Sequence, residues 1–524
     1  MRGSSMLLKR AATLLVLVHL AIFLGTSTSG ADESAAVVAH RRRHVLLREK
    51  ATLLALKLRL NLPSPSPLAD WNESNGHVCH FTGITCDQQR EHIVGLDLGN
   101  MGISGAIPEV IGDLSHLRSL DVSNNIFSGV PASIGNLTRL QSLFMNNNRI
   151  SGTILPVIAN LMKLRYLDIS YNSIFGTIPP ALGWLGQPQS LNICCNNISG
   201  SVPPSFGNLT LLTDLIMYNN FISGGIPLAI GNLTGLYGLD ISSNNLMGQI
   251  PTELSYLRNI GALDLSNNQL DGSIPPSLLG LTSIDYFSLH HNNLSGVIPA
   301  AIFLNCTGLI DLGNNGLSGE IPGKASSDTL AATFAVLSLY SNRLTGKLPR
   351  WLANCTGLEV LDVGNNSLAD ELPTTIVSGK MFLEYLDLSG NQFWSHNGYN
   401  NNLLESFVAV LNFSRELPWD EPPLPWWLRS THYWSTQHGG SSLLAVVLSD
   451  NALTGEIPPC IGNVTNLGEL DLSGNMLSGS IPGSIGSLPW IRVLSLRGTC
   501  CPGRYRRASA AAPACCALTS PATS

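Results

Sequence analysis

Histidines, cysteines and one glycine-containing stretch are the residues of this chain that could carry catalytic or metal chemistry. His290 and His291 are adjacent, so on a strand they point to opposite sides or toward a turn, which makes them poor metal ligands. Cys194 and Cys195 have no histidine or metal-type spacing nearby, and GEIPGKA at 319–325 lacks the spacing of a phosphate-binding loop. The protein-kinase motifs GxGxxGxV, VAIK, HRD and DFG are absent from the sequence. We therefore predict a protein that is not an enzyme and that binds no metal and no cofactor.

A second set of polar and aromatic residues suits the binding of another molecule. Tyrosine offers a large surface and a hydroxyl group while losing little conformational freedom, which suits a peptide groove. These residues recur at outward strand positions over five steps of a sequence repeat, roughly 24 Å at the usual strand spacing. The predicted ligand track consists of Asp214, Tyr218, Tyr237, Tyr286, His290, His291 and Tyr340. The alternative, that each tyrosine is a solvated strand residue without a ligand, stays open.

The elements that position these residues follow from a repeated pattern, LxxLxLxxNxLSGxIPxxIGxL. Its asparagines recur at a near-constant step, and one long gap separates the last two from the others. A unit of about 24 residues cannot bury its own apolar face, so neighbouring coils must stack into a solenoid. The asparagines of the pattern are Asn125, Asn148, Asn172, Asn196, Asn220, Asn244, Asn268, Asn292, Asn315, Asn342, Asn366, Asn391, Asn451 and Asn475.

Each residue type of the repeat has a predicted structural role. The xLxLx segment alternates like a strand, which sends Leu120 and Val122 inward and Asp121 outward. Asn125 then turns the chain, and its buried amide satisfies backbone groups of its own and the neighbouring coil. Gly in the LSG step permits backbone angles closed to other residues, and Pro fixes φ for the return run. The recurring outward aspartates are interpreted as structural, and examples are Asp121, Asp168, Asp240 and Asp264.

The composition fits a large protein with an ample core. Of 524 residues, 44% are hydrophobic and only 12% are charged, so extensive disorder is excluded. The net charge of -6 argues against nucleic acid as the main partner. Eleven cysteines in so long a chain do not form a disulfide-dense small scaffold.

Residues 1–31 have the pattern of a secretory signal peptide. A basic start with Arg2, Lys9 and Arg10 precedes the apolar run 11–24, and small residues follow. An uncleaved signal anchor is the alternative. Because no later apolar stretch is long enough to cross a bilayer, we expect an exported and released protein with no membrane span after cleavage.

The repeat resembles that of plant-type extracellular leucine-rich-repeat proteins, in which the LSGxIP step is characteristic. The resemblance is greatest to the ectodomains of leucine-rich-repeat receptor-like kinases, and it covers roughly residues 47–496. It implies an α/β repeat solenoid, that is, a curved right-handed leucine-rich-repeat superhelix with a parallel concave β-sheet and an N-terminal capping domain.

Residues 45–92 resemble the N-terminal cap of that family. An amphipathic helix is expected at 51–60, and the sequence CHFTGITC follows, with Phe81 where a tryptophan is common. The resemblance implies a disulfide bond between Cys79 and Cys86 that seals the first coil in an oxidising compartment.

Two parts of the chain depart from the repeats predicted for 93–393 and 443–497. Segment 394–442 is irregular and rich in tryptophan, and we considered either a ligand-binding island or two decayed coils packed on the scaffold. Its tryptophans are Trp394, Trp419, Trp426, Trp427 and Trp434. The divergent tail, 498–524, is expected to be disordered, and its cysteine spacing does not match the family's C-terminal pattern.

Other cysteines and eleven glycosylation sequons complete the sequence-based predictions. Cys306 and Cys355 stand two coils apart, too far for a disulfide, and are expected to be buried free thiols. Glycans at the recurring GN[LV]T motif would cover the return side of the coils and leave the sheet open. The sequons are Asn72, Asn136, Asn197, Asn208, Asn232, Asn293, Asn305, Asn354, Asn365, Asn412 and Asn463.

The resemblance implies one of two functions. The first is a recognition module that binds a peptide or protein ligand on its concave face in plant development or defence signalling. It would lie in the apoplast or at the cell surface as a truncated or soluble receptor-like protein, with a membrane receptor-like kinase as co-receptor. The alternative is a secreted inhibitor of microbial cell-wall-degrading enzymes, similar to polygalacturonase-inhibiting proteins. The number of repeats and the interruption favour the first.

Overall fold

The N-terminal part of the described chain is a capping unit. The computed structural model describes residues 30–74, 76–281, 284–300, 302–323, 335–378, 383–395, 403–411 and 444–499. A helix spans Gly30–Arg59, longer than the helix expected from sequence, and a disulfide joins Cys79 to Cys86 as the resemblance implied. Trp71 and Phe81 stack with ring centroids 6.1 Å apart and are buried between the helix and the first coil. The predicted signal peptide lies almost entirely outside the described residues.

One continuous sheet, called here the main sheet, runs along the whole described solenoid. Its first strand pairs antiparallel with the second, and all later pairs are parallel, with each strand beside the next coil's strand. Leu215 pairs with Leu239, and Leu239 pairs with Leu263, so the inward leucines stack in register. This regular register confirms the predicted solenoid. Its strands are Ile84–Cys86, Ile93–Asp97, Ser119–Asp121, Ser142–Phe144, Tyr166–Asp168, Ser190–Asn192, Asp214–Ile216, Gly238–Asp240, Ala262–Asp264, Ile284–Ser288, Cys306–Asp311, Val336–Ser338, Val360–Asp362, Tyr385–Asp387, Leu444–Val447, Leu467–Asp471 and Val493–Ser495.

A second set of short parallel strands follows the main sheet, one in most coils, and the sequence analysis did not foresee it. These strands contain the LSG step, where Gly224 and Gly248 have φ of 77° and 79° and so need glycine, as predicted. Small side chains at this step let the coils pair a second time. The strands are Ser104–Ala106, Ile126–Gly129, Ser151–Gly152, Ser173–Thr177, Asn197–Gly200, Phe221–Gly224, Asn245–Gln249, Gln269–Asp271, Ser295–Gly296, Gly316–Glu320, Arg343–Gly346, Ser367–Leu368, Thr454–Glu456 and Met476–Ser478.

Short helical turns close most coils on the side opposite the main sheet. Proline usually precedes the turn or opens it, since its fixed φ suits a helix start and it lacks an N–H that would need a partner. Cys355 follows one of these turns as a buried free thiol, as predicted. The 3-10 turns are Val78–His80, Glu109–Asp113, Ala132–Asn136, Pro156–Asn160, Pro180–Trp184, Pro204–Asn208, Leu228–Asn232, Thr252–Tyr256, Pro276–Gly280, Arg350–Asn354, Pro459–Asn463 and Gly483–Ser487. Three coils use α-helical segments, Ile302–Asn305, Thr374–Val377 and Leu403–Val410.

The repeated asparagines form a buried ladder that links each coil to the one before it. The Asn125 amide nitrogen donates to the carbonyl oxygens of Leu98 and Val122, at 2.7 and 3.2 Å, and its oxygen accepts from Ile103 N–H at 2.9 Å. This arrangement confirms the role predicted for the asparagine and recurs from coil to coil.

The glycine of the IGxL step has a different function from that of the LSG glycine. At Gly112 an added Cβ would lie 2.5 Å from the carbonyl oxygen and 2.6 Å from the Cβ of Ser133 in the next coil. Glycine is therefore required here because the helical turns of neighbouring coils approach closely.

Gly112→Ala is expected to lower the free energy of unfolding by about 1–3 kcal/mol, because the coils must separate to admit the methyl group. Thermal unfolding of the purified chain measures the change. The control is Gly357→Ala, since a Cβ at Gly357 meets nothing within 4 Å. An equal loss in both variants would contradict the packing explanation.

The long interruption occupies a single step of the main sheet. Strand Tyr385–Asp387 pairs directly with Leu444–Val447, and the Asn391 and Asn451 coils are therefore neighbours. Trp394 bridges to residues of both flanking coils, and buried Phe407 lies on the helix that closes this coil. The other four tryptophans, and the predicted tail from residue 500 onward, lie outside the described residues.

Candidate ligand-binding face

The outward face of the main sheet carries a row of aspartates that stabilise the sheet. Each aspartate accepts a hydrogen bond from the backbone N–H of the residue two positions later in the chain. Asp240 accepts from Ser242 N–H at 3.0 Å, and Asp264 accepts from Ser266 N–H at 2.9 Å. Asp240 and Asp264 are paired in register on adjacent strands. Burial, followed by the charge of Asp264, raises the pKa of Asp240 to about 8, and burial also raises the pKa of Asp264. These aspartates have the structural role that the sequence predicted.

Two residues of the predicted ligand track, His290 and Tyr286, contact this aspartate row. His290 Nδ1 lies 3.2 Å from Asp311 Oδ2 and 2.8 Å from the hydroxyl of Ser288. Burial lowers the pKa of His290, but the carboxylates of Asp311 and Asp264 together raise it by more, so the net shift is upward. Serine and aspartate both contact the same ring nitrogen, and Ser288 is fully buried, so this trio lacks the geometry of a catalytic triad.

Tyr286 does not line an open track, which corrects the prediction for this residue. Its side chain is 3% exposed, and its hydroxyl donates to Asp264 Oδ2 at 3.2 Å. Ala262 and Leu309 flank it in register on the adjacent strands. The tyrosine therefore supports the aspartate row from within the sheet layer rather than contacting a ligand.

His291 is turned onto the same face as His290 because its backbone is left-handed, with φ of 51°. The two rings lie 5.3 Å apart edge to face, at the bend after the strand Ile284–Ser288, so of the two expected arrangements the one toward a turn is observed. His291 Nε2 lies 3.0 Å from the Tyr340 hydroxyl and 2.8 Å from the amide nitrogen of Asn314. Burial lowers the pKa of His291, so a neutral, exposed imidazole faces solvent.

Tyr218 belongs to a second cluster, five coils nearer the N-terminus than Tyr340. Its hydroxyl lies 2.9 Å from that of Tyr171, which sequence analysis missed although it occupies the same repeat position as His291. Between them lies Cys195, whose hydrogen bond with Cys194 lowers its pKa to about 6 against the effect of burial. Cys194 is 1% exposed, so it does not face solvent.

Tyr237 lies between the two clusters, whereas Asp214 is on the strand of the coil that carries Tyr218. Tyr237 is 44% exposed, and its ring covers Gly261, just before the strand Ala262–Asp264, where an added Cβ would lie 2.3 Å from the ring. Asp214 accepts a hydrogen bond from the Thr213 hydroxyl at 2.8 Å and lies beside Gly238. We define the outward face from Tyr171 to Tyr340 as the aromatic face.

Comparisons with known proteins explain this architecture. The leucine rich repeat N-terminal domain matches residues 46–87, and leucine rich repeats match 115–174, 187–209, 235–257, 259–281, 334–355 and 466–488. The ectodomain of the Arabidopsis receptor kinase HAESA, solved with an IDA peptide hormone, is 30% identical with a TM-score of 0.63. The alignment covers 87% of this chain and 78% of that one. The chain belongs to the plant leucine-rich-repeat receptor ectodomain family.

Other members of the family match this leucine-rich-repeat protein over different lengths. The PEPR1–AtPEP1 structure is 29% identical with a TM-score of 0.70, over 86% of this chain and 62% of that chain. The receptor-like kinase EFR of Arabidopsis thaliana is 42% identical over 60 residues, 12% of this chain. The chain spans only 6–8% of the length of the first curated relatives it matches.

The glycosylation motifs of this leucine-rich-repeat protein lie mostly away from the aromatic face. The four asparagines of the GN[LV]T motif each end a 3-10 turn and are exposed, and they are Asn136, Asn208, Asn232 and Asn463. Asn365 differs, since it lies exposed just after a main-sheet strand, with φ of 51°. Asn412 lies outside the described residues.

No described helix is long and apolar enough to cross a bilayer.

Proposed function

We propose that this protein is an extracellular recognition module that binds a peptide or protein ligand on its aromatic face. The observation that carries the proposal is the replacement of repeated structural residues by unlike tyrosines and histidines on one face, in two clusters with Tyr237 between them. A structural role alone requires only the aspartate and serine that other coils use, as at Asp121 and Ser123. The proposal includes no catalytic activity, in keeping with the geometry around His290.

The size and chemistry of the aromatic face suit an extended peptide. From the strand of Tyr166 to that of Tyr340 there are seven sheet steps, roughly 34 Å, which about ten extended residues would span. Tyrosine hydroxyls and the neutral His291 imidazole can donate to or accept from peptide groups. The exposed rings of Tyr171 and Tyr237 add apolar contact area.

Solved relatives support this choice of ligand and partner. PEPR1 was solved with AtPEP1, and HAESA was solved with the peptide hormone IDA and the co-receptor SERK1. By analogy, we propose a role in plant development or defence signalling in the apoplast or at the cell surface. A membrane receptor-like kinase would be the second partner, recruited once a peptide occupies the aromatic face.

The experiment is a peptide selection against the purified, secreted chain, using a displayed library of random peptides with AtPEP1 and IDA as added probes. We expect selected peptides whose affinity falls 10- to 100-fold in the triple variant Tyr218→Ala/His291→Ala/Tyr340→Ala, because three central contacts are lost. Tyr286 is left unchanged, since its replacement would disturb the buried Asp264. Calorimetry measures the affinities.

The matched control is Tyr256→Ala. Tyr256 is 60% exposed on a 3-10 turn, on the opposite side of the coil, and its loss should leave the affinity unchanged. Selected peptides that bind the triple variant as tightly as the original chain would refute the aromatic face. Inhibition of pectin-degrading enzymes without peptide binding would instead favour the inhibitor alternative.

A further inference from the structure

A cluster of one glutamate and two histidines lies where the N-terminal helix meets the first two coils. Glu49 is on the helix Gly30–Arg59, His92 precedes the strand Ile93–Asp97, and His116 precedes the strand of the next coil. His116 is 67 residues from Glu49 in sequence, so no motif spacing could reveal the group. The three residues are the only group of this kind with metal-binding geometry in the described part of the chain.

The ligand atoms of the three side chains converge. Glu49 Oε1 lies 3.1 Å from His116 Nδ1 and 3.7 Å from His92 Nδ1, and one potential ligand atom from each of the three residues lies within 4.8 Å of the other two. A tetrahedral zinc ion with bonds of about 2.0–2.1 Å holds its ligand atoms roughly 3.3 Å apart. The two observed distances bracket that separation, so the ligand atoms are close enough to share one ion once the imidazole rings rotate toward it.

The polar groups of this cluster are incompletely satisfied by one another. Glu49 is 4% exposed, and its second oxygen accepts from Ile93 N–H at 2.9 Å. The first oxygen is within hydrogen-bond distance of His116, whereas His92 Nδ1 is buried without a hydrogen-bond partner among the described residues. Such an unpaired buried nitrogen is costly unless a further group binds it.

A carboxylate and two imidazoles can each supply a lone pair to a cation once they are deprotonated. The neighbouring Asp87 is already occupied, since its carboxylate accepts from the backbone N–H groups of Glu91 and His92.

We infer that Glu49, His92 and His116 form a binding site for a divalent transition-metal cation, with Zn²⁺ as the best fit. Two imidazoles and one carboxylate favour zinc or a similar ion over Ca²⁺ or Mg²⁺, which prefer oxygen ligands. The two rings stack with centroids 3.6 Å apart, and binding would rotate them until both Nδ1 lone pairs face the ion. Both histidines are partly exposed, so water would complete the coordination.

The site would fasten the N-terminal helix to the first two coils. It is independent of the aromatic face, which begins at Tyr171, and either proposal can fail without the other. Because the ion would bind the folded cap and not the unfolded one, metal binding would raise the thermal stability of the cap.

Titration of the chelator-treated, full secreted chain with Zn²⁺ alone tests the inference by calorimetry. We expect one site, with affinity reduced at least tenfold by His92→Ala and by His116→Ala. Glu49→Gln keeps the acceptor for Ile93 N–H while removing the charge, and should also weaken binding. The double variant His77→Ala/His80→Ala is the matched control, since it removes two cap histidines outside the cluster and should leave the affinity unchanged.

Co²⁺ provides a second measurement that does not depend on the stability of the variants. In the original chain it should give visible absorption bands typical of four-coordination by mixed nitrogen and oxygen ligands, and added Zn²⁺ should remove them. The inference is overturned if the original chain shows no zinc binding. It is also overturned if folded His92→Ala and His116→Ala bind zinc as tightly as the original chain.

Discussion

Replacement of Asn244 by alanine is expected to destabilise the surrounding coils by about 2–5 kcal/mol, because a buried N–H group loses its acceptor and three backbone carbonyl oxygens each lose one of two donors. The Asn244 amide nitrogen donates to the carbonyl oxygens of Met217, Ile241 and Ser242, at 3.0, 3.2 and 3.0 Å. Its oxygen accepts from Ile222 N–H at 2.9 Å. Alanine would leave the buried Ile222 N–H without its acceptor, at about 1–3 kcal/mol, whereas each of the three carbonyl oxygens keeps a second donor from the ladder or the backbone.

Amide hydrogen exchange followed by mass spectrometry is the appropriate measurement, because long repeat arrays do not unfold as one unit. Faster exchange should be confined to the coils that carry Ile222 and Asn244 and their immediate neighbours. The control is Asn245→Ala, which changes the same residue type one position later, at a partly exposed strand position. If the two variants exchange alike, the asparagine ladder is not what holds the coils together.

The second large effect is the contribution of Asp240 to stability, which rises on acidification from pH 8.5 to 6.5. The pKa of Asp240 is about 8 in the folded chain against an ordinary value of 3.8. The folded state therefore keeps a proton that the unfolded chain releases. The resulting stability is fully present below pH 3.8 and is lost as the pH rises through about 8, which amounts to on the order of 2 kcal/mol across this window.

Other groups shift the pH dependence of the whole chain in both directions. Cys195 opposes Asp240, because its pKa is lowered to about 6 from an ordinary value of 9.0, so its contribution to stability falls on acidification across the same window. The contribution of Asp240 is therefore measured as the difference between the original chain and Asp240→Asn. The pKa values of Asp264 and His290 are also shifted upward, so these groups too bind protons more tightly in the folded chain. His116 and His291 have lowered pKa values and would reduce stability on acidification. That loss begins only near and below their ordinary value of 6.5, at the lower limit of the window.

Asp240→Asn should be more stable than the original chain at pH 8.5, and the difference in stability between the two chains should shrink as the pH falls to 6.5. Asparagine can accept the same hydrogen bond, as Asn192 does in this row, where it accepts from Cys194 N–H at 3.1 Å. Asp271→Asn, at an exposed position one coil away, is the control and should leave the pH profile unchanged. Hydrogen exchange of the strand Gly238–Asp240 gives the profile. An unaltered profile in Asp240→Asn would show that this carboxylate does not titrate as argued.

The sequence alone was sufficient to predict the fold because each coil repeats the same local requirements. The features that specify the fold are the alternating leucines, the repeated asparagine and the glycine of the LSG step. Each makes its contacts within one coil or with the adjacent coil, as Asn125 and Gly224 illustrate. The second set of strands was missed, since its pairing depends on how closely successive coils approach rather than on a hydrophobic alternation.

The sites were predictable only in part, because they depend on which residues meet across coils. From their positions in the repeat, His290, His291 and Tyr340 were expected on one face of the sheet, and the structure places them there. That the two histidine rings lie on the same face depends on the left-handed backbone at His291. Burial of Tyr286 arises from its neighbours on two other strands. The group of Glu49, His92 and His116 gave no sequence signal, since a long helix folding back onto the first coils is what brings these side chains together.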